Sequence, residues 1–541
     1  FLNRIYCWLD DAVLSLGREI KLSYLPPLMV YLAAGISSLT SIVGTFYVKE
    51  RLGLSAEFLA ALGFWMALPW ALKMPLGHLV DLVWRWKGFL VYLGASLIML
   101  SLLIMIGLLG YPSDMQEIIP IENWYVLAAL LAPIGYVLQD VVADAMTVEA
   151  VPKVDSNGQA ISHEARKQMH VTMQTLGRVA IIGGGVFVSI LNVILMHDMG
   201  SLSESEKLAT YLFIYQLALI IPIVSVGGVF LASYLRRKNI AHLIRQGIGR
   251  EDSIALLDTH AGAPPINWWI LGGGAAFTVI SLSVGLGGVS GAEEIVFGLS
   301  MAIVLFLIGR ISGELDEEAR NMLVGTAILI FAFRAIPGPG AGSTWWMIDH
   351  LGFDQQFLAT LSLIGSALTL AGMFIFRRFM AERSMAFIIG ILTIAGTILS
   401  LPIIGMYFGL HEWTATLTGG IVDARFIAIV DTALESPLGQ IAMIPMLAWI
   451  ANSAPDKLKA TFFAVMASFT NLALSASQLC TKYINQIFII SREVIDASTG
   501  EVAVPADYSQ LGLLLMTITA IGFAVPLLTI FILKQTRFRI A

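Results

Sequence analysis

Apolar runs of about 20 residues recur along nearly the whole chain, and each is long enough to cross a ~30 Å hydrocarbon core as a helix. Only 13% of the residues are charged, against about 25% in an average soluble domain. With a mean hydropathy of +0.81, the deficit is too large for one odd segment. The 49 glycines agree, because Gly is commoner in membrane helices than in soluble ones. The chain therefore reads as an all-α polytopic membrane protein.

Spans are expected near 25–47, 55–80, 88–110, 124–147, 171–195, 209–234, 266–287 and 293–312, then near 319–345, 355–376, 385–408, 421–450, 459–489 and 508–534, numbered here 1 to 14. Residues 1–24 are too polar for the apolar core of a signal peptide and read as an amphipathic segment lying on the membrane surface. Charge tests the count independently. With the N-terminus cytoplasmic and strict alternation, 23 of the 32 Lys and Arg fall on cytoplasmic segments. Five fall on outer segments (Lys49, Arg51, Lys207, Lys482, Arg492) and four inside spans (Lys73, Arg178, Arg334, Arg425). That asymmetry places both termini on the cytoplasmic side.

Residues 52–64, LGLSAEFLAALGF, match 351–363, LGFDQQFLATLSL, and both open the second span of a six-span block. In the fourth span of each block, QDVVADAMTVEAVP (139–152) corresponds to VDTALESPLGQIAMIP (430–445). The expected division is an N-terminal half at 25–234, a cytoplasmic linker at 235–265, two inserted helices at 266–312 and a C-terminal half at 313–541. Two parallel six-helix repeats are the plan of the major facilitator superfamily. In that plan spans 1, 4, 9 and 12 face a central cavity. Spans 7 and 8 have almost no polar side chains except at their ends, which suits a lipid-facing position or a protein partner at 266–312.

Several segments narrow the resemblance. LPWALKMPLGHLVD (68–81), LQDVVADAMTVE (138–149), FRAIPGPGAGSTWWMIDHLGF (333–353), SPLGQIAMIPML (436–447) and ATFFAVMASFTN (460–471) resemble, in order and spacing, motifs of the folate–biopterin transporter family. That family usually has twelve helices, so fourteen is a departure. The resemblance implies a carrier importing folate, pterin or another small organic anion. GHLVDLVWRWK (77–87) resembles the superfamily's loop motif between helices 2 and 3, in which Gly77, Asp81 and Arg85 would act in gating, with Lys73 as a gating or ion-pair residue. Lys73 also lies late enough in its span to snorkel to the surface.

A charge at mid-membrane costs roughly 2.5–3.5 kcal/mol on insertion scales, so it usually faces a cavity or a partner. Asp140 and Asp144 on span 4, and Asp431 and Glu435 on span 12, are each spaced i, i+4 on one helix face. Neighbouring carboxylates in a low dielectric raise at least one pKa, which permits reversible protonation. At 1.5 Å per residue, Asp431 lies ~16 Å into span 12 and Arg334 ~22 Å along span 9. Asp140 is ~24 Å from the outer end of span 4, a depth similar to that of Arg178 in span 5. These depths suggest that Arg178 pairs with Asp140 or Asp144 and that Arg334 lies near Asp431. Permanent ion pairing is the plainer alternative. Arg334, Asp431, Gln440 and Asn471 are the candidate substrate contacts. Ser37, Ser38, Thr40 and Ser41 fit a cavity wall or helix packing equally and receive no role. Trp345 and Trp346 are expected in an interfacial aromatic belt.

No P-loop, nucleophile elbow or His/Cys metal cluster occurs, and nothing points to a cofactor, to nucleic acid or to catalysis. The reading is a proton-coupled secondary transporter in a bacterial cytoplasmic membrane, with lipid, proton and solute as its partners. A muropeptide or siderophore permease is the rival within the class, and a non-transporting assembly or scaffold protein is the rival outside it.

Overall fold

The computed structural model describes residues 15–18, 20–151, 161–257, 266–313, 315–376, 379, 383–439, 441, 446, 459–495 and 502–540. Among them are eleven helices long and apolar enough to cross a membrane, corresponding to spans 1–8, 10, 11 and 14. Span 13 is the 29-residue helix Lys459–Ile487. Most of the amphipathic segment expected at 1–24 lies outside the described residues.

Proline interrupts several spans where the sequence pattern runs straight through. Span 2 consists of helix Ala56–Ala67, a 3₁₀ stretch Leu68–Leu72 that carries Pro69, and helix Lys73–Leu82. Span 9, expected to be continuous, is broken into Glu317–Arg334 and Ala341–Leu351. The connecting residues include Pro337 and Pro339, which have no N–H to give the helical ladder. Gly340 closes the break at φ +73°, in the left-handed region. Span 12 begins as helix Ala424–Glu435, followed by the turn Ser436–Leu438 around Pro437. Span 6 outruns its expected end, since helix Ile220–Arg245 carries Arg236, Arg237 and Lys238. The linker thus starts as a continuation of that helix.

The repeat is visible in how helices start. Ser55 caps the helix of span 2 by accepting from the Phe58 N–H at 3.1 Å, and Asp354 caps that of span 10 by accepting from Phe357 at 2.7 Å. Span 2 packs on span 13 and span 5 on span 10. The repeat, which carries each span in the first half to the one eight later, exchanges these two contacts. Two six-helix halves meet across this seam, with two inserted helices beside it. Span 7 packs on the Lys73–Leu82 segment and span 8 on span 13. The outward faces of the inserted pair expose Val279, Leu282, Leu286 and Phe306. Between spans 13 and 14 a small antiparallel hairpin pairs β1 (Val494–Ile495) with β2 (Val502–Val504).

Trp345 and Trp346 correct an expectation. Both are buried, at 2% and 5% exposure, in a cluster with Phe353, Met406 and Leu511. The break in span 9 starts a new helix just before them and brings them inside rather than to the lipid interface.

Candidate functional site

The polar centre of the first half is built by spans 1, 2 and 4. Lys73 opens the helix that follows the Pro69 stretch, and its Nζ lies 2.5 Å from Oδ2 of Asp140 and 2.9 Å from Oδ2 of Asp144. The Tyr31 hydroxyl donates to Oδ1 of Asp144 at 2.6 Å. The i, i+4 spacing gives both carboxylates one face, and a single ammonium fills the space between them. The cluster is open on one side, since the Asp144 side chain is 44% exposed against 14% for Asp140.

Lys73 thus takes the place expected for Arg178. The turn at Pro69 swings the start of the next helix toward span 4, so Lys73 faces inward instead of snorkelling to the surface. Arg178 acts on Asp140 only through space and makes no ion pair among the described residues. One cation for two carboxylates leaves an excess negative charge that Arg178 or a proton can balance.

The corresponding acids of the second half are arranged differently. Among the described residues Asp431 has a buried Oδ1 without a hydrogen-bond partner, and Glu435 is exposed at the end of its helix. Arg334 ends the first segment of span 9 with its Nε buried and unpartnered among the described residues, where its Nη1 reaches the Met446 sulfur at 4.0 Å. The expected Arg334–Asp431 pair is not formed: the helix break directs Arg334 toward Met446. Gln440 lies outside the described residues. Asn471 donates from Nδ2 to the Trp70 carbonyl at 3.2 Å, tying span 13 to the interrupted turn of span 2.

In the 77–87 loop, Gly77 and Asp81 lie on the last turns of helix Lys73–Leu82, and Arg85 is exposed on the short turn Trp84–Trp86. Lys87 holds the loop to span 4 through Glu149 at 2.6 Å and lies 4.2 Å from the centre of the Trp84 ring.

A cavity of about 420 Å³ lies between the first half and the second segment of span 9. Its wall includes the hydroxyls of Ser37, Thr40, Ser41, Tyr136, Tyr215 and Thr344, and none of its lining residues is charged. This volume is within the usual range for small-ligand sites. The span 1 hydroxyls had no role from sequence, because packing explains them equally well. Tyr31 and Thr344 were not singled out, although both lie on spans expected to face the cavity.

At the end away from the basic linker, the halves are fastened together. Lys49 Nζ lies 2.5 Å from Asp349 Oδ1, Gln486 donates to Glu57 at 2.6 Å, and Gln355 donates to the Tyr211 hydroxyl at 2.7 Å. A cavity between two halves, closed at one end, with ionisable groups at membrane depth, belongs to a membrane transporter of the major facilitator fold.

Solved structures agree on the fold. A POT family transporter in complex with 5-aminolevulinic acid superposes with a TM-score of 0.61 at 11% identity, covering 97% of each chain. A POT family transporter with a thioalcohol-conjugated peptide gives 0.59 at 12% identity, again over 97% of each. In sequence, the model described as the BT1 family matches residues 293–539. The folate-biopterin transporter of Synechocystis sp. is 22% identical over 478 residues, 86% of this chain and 75% of that protein. The putative folate transporter 2 of Plasmodium berghei is 25% identical over 161 residues, 28% of this chain and 32% of that one. The C-terminal part of the chain is thus similar to the BT1 family, and most of its length to a folate-biopterin transporter. It is an integral membrane transporter and not an enzyme.

Proposed function

We propose that this protein is a proton-coupled secondary transporter that carries a small organic anion, folate or a pterin, by alternating access. The observation that carries the proposal is the contrast between the two acid pairs. In the first half, Lys73 holds Asp140 and Asp144. In the second, Asp431 presents a buried carboxylate oxygen with no partner among the described residues. A carboxylate without a counter-ion at membrane depth is stabilised by taking up a proton. Asp431, with Glu435 one turn on, is the proton carrier in this reading. Asp140 and Asp144, held by Lys73 with Arg178 acting through space, form the charge-balanced counterpart, and Lys73 with the Gly77–Arg85 loop also serves the gate. Arg334, whose Nε is likewise unpartnered, supplies a cation for the substrate carboxylate, which a guanidinium binds through two parallel hydrogen bonds. Gln440 and Asn471 complete the candidate contacts. The hydroxyl-lined cavity suits the uncharged ring of such a solute. Both termini are assigned to the cytoplasmic side of a bacterial-type inner membrane, and the chain is divided at 234, 265 and 312 into half, linker, inserted pair and half. The substrate class draws on the names of the Synechocystis and Plasmodium relatives.

Uptake of labelled folate and of a simple pterin into proteoliposomes, with and without an imposed proton gradient, tests this. Gradient-driven uptake is expected in the wild type and lost in Asp431→Asn, while exchange of solute without a gradient persists. Gradient-driven uptake by Asp431→Asn at the wild-type rate would remove Asp431 from the coupling. No uptake of either solute by folded protein would remove the substrate class.

A further inference from the structure

At the end where Lys49 meets Asp349, a second cavity of about 450 Å³ lies beneath the β1–β2 hairpin. Arg492 lines it, immediately before the hairpin, and is only 4% exposed. Its Nη1 donates to the Lys49 carbonyl, and its guanidinium lies 5.4 Å from the centre of the Trp345 ring. Nε and Nη2 are both buried without a hydrogen-bond partner among the described residues. Those two nitrogens form the side-on edge of the guanidinium, the edge that takes the two oxygens of a carboxylate.

No described residue supplies that carboxylate. Asp349 is occupied on both oxygens, by Lys49 at 2.5 Å and by the Tyr508 hydroxyl at 2.6 Å. Glu50 and Glu493 line the same cavity, but both are exposed and neither reaches the free edge. Burial holds the Arg492 guanidinium below its usual value, with Tyr508 and Asp349 opposing that effect. A buried cation with three of its five N–H donors unused is costly unless something completes it. Ion pairs frozen within the protein would not leave that edge open.

We propose that Arg492 anchors a carboxylate-binding site in this vestibule, separate from Arg334, where a small organic anion is held before it enters the central cavity. The role as an entry site rests on the proposed organic-anion cargo, but the site itself does not. The ionisable lining favours a monoanion over a dianion: Lys49, Arg51 and Arg492 are balanced by Glu50, Asp349 and Glu493, so a second negative charge on the ligand finds no net positive field.

Calorimetric titration of the full chain in lipid nanodiscs with benzoate, and with benzamide as its uncharged counterpart, tests the site. Benzoate is expected to bind about tenfold or more tightly than benzamide, the strength of one charge-assisted two-point contact. Arg492→Lys keeps the cation and the fold but loses the planar fork, and should weaken benzoate about tenfold while leaving the thermal midpoint in place. Arg539→Lys, at the exposed pair with Glu318, should leave benzoate binding intact. Equal affinity for the two probes, no benzoate binding at millimolar concentration, wild-type binding by Arg492→Lys, or an equal loss in Arg539→Lys would each overturn the site. Benzoate binding at Arg492 in a protein that takes up neither folate nor pterin would leave the site standing and sink the cargo. Uptake without benzoate binding would do the reverse.

Discussion

Lys73 and Gly372 differ in a way that gives the two halves different electrostatics. The register that aligns 52–64 with 351–363 places Gly372 of span 10 opposite Lys73 of span 2. A Cβ at Gly372 would collide with the backbone of Pro437, so spans 10 and 12 touch there and leave no room for a long cation. In the first half the same register provides a lysine, and both span 4 acids close on it. Replacing Lys73 by Met leaves two carboxylates facing each other around a vacant centre. Breaking a fully buried pair costs roughly 3–5 kcal/mol, and the 44% exposure of Asp144 reduces this to on the order of 2 kcal/mol. The thermal midpoint in detergent should fall by several degrees, and adding Asp140→Asn should recover part of the loss. A Lys73→Met protein as stable as the wild type would mean that the ammonium is not what holds the acids. The acids themselves were legible, because i, i+4 spacing fixes a shared face whatever the tertiary structure. Their partner was not. Depth along an ideal helix favours Arg178, and only the bend at Pro69 shows that Lys73 is the nearer cation.

At the scale of elements, hydropathy located the spans well and their interruptions poorly. A window of about 20 residues averages over AIPGPG in span 9 and over LPWAL in span 2, so each reads as one rod. The prolines mark the breaks, but a membrane helix tolerates proline where neighbours satisfy the freed backbone groups, so their presence alone does not decide. Here neighbours do so: Ser477 donates to the Ile336 carbonyl at 2.6 Å, Thr481 accepts from the Gly338 N–H at 2.9 Å, and Asn471 serves Trp70. All three come from span 13, which therefore braces both breaks. The geometry at Gly340 is the tightest point. Its φ is +73°, and an added Cβ would come within 2.8 Å of the Asn485 amide nitrogen. Gly340→Ala should cost about 1–3 kcal/mol through strain at that position, seen as a lower thermal midpoint, whereas Gly338→Ala, with open space around it, should cost less. Equal effects of the two changes would show that the break is not held at Gly340.

For the whole molecule, the exchange of contacts between spans 2 and 13 and spans 5 and 10 makes the seam a pair of equivalent hinges, and the fastening near Lys49 sets which end is shut. Asp349 is the centre of that fastening, because it receives Lys49 from the first half while Tyr508 holds it from the second. Alternating access requires this contact to part. Losing it alone should move the equilibrium between the two access states without altering the cavity. A loss of 1.4 kcal/mol is a tenfold change in an equilibrium constant, so Asp349→Asn should raise the population open at this end by about that factor if the ion pair is the principal restraint. Thr344, in the cavity wall on the second segment of span 9, gives a readout. With Cys7 and Cys480 replaced by Ser and Thr344 by Cys, a membrane-impermeant maleimide applied from the Lys49 side should label Asp349→Asn several-fold faster than the parent. An unchanged labelling rate would assign the closure to other cross-seam contacts, among them Gln486 with Glu57, Gln355 with Tyr211 and Arg492 with the Lys49 carbonyl, and would predict that their combined removal opens that end.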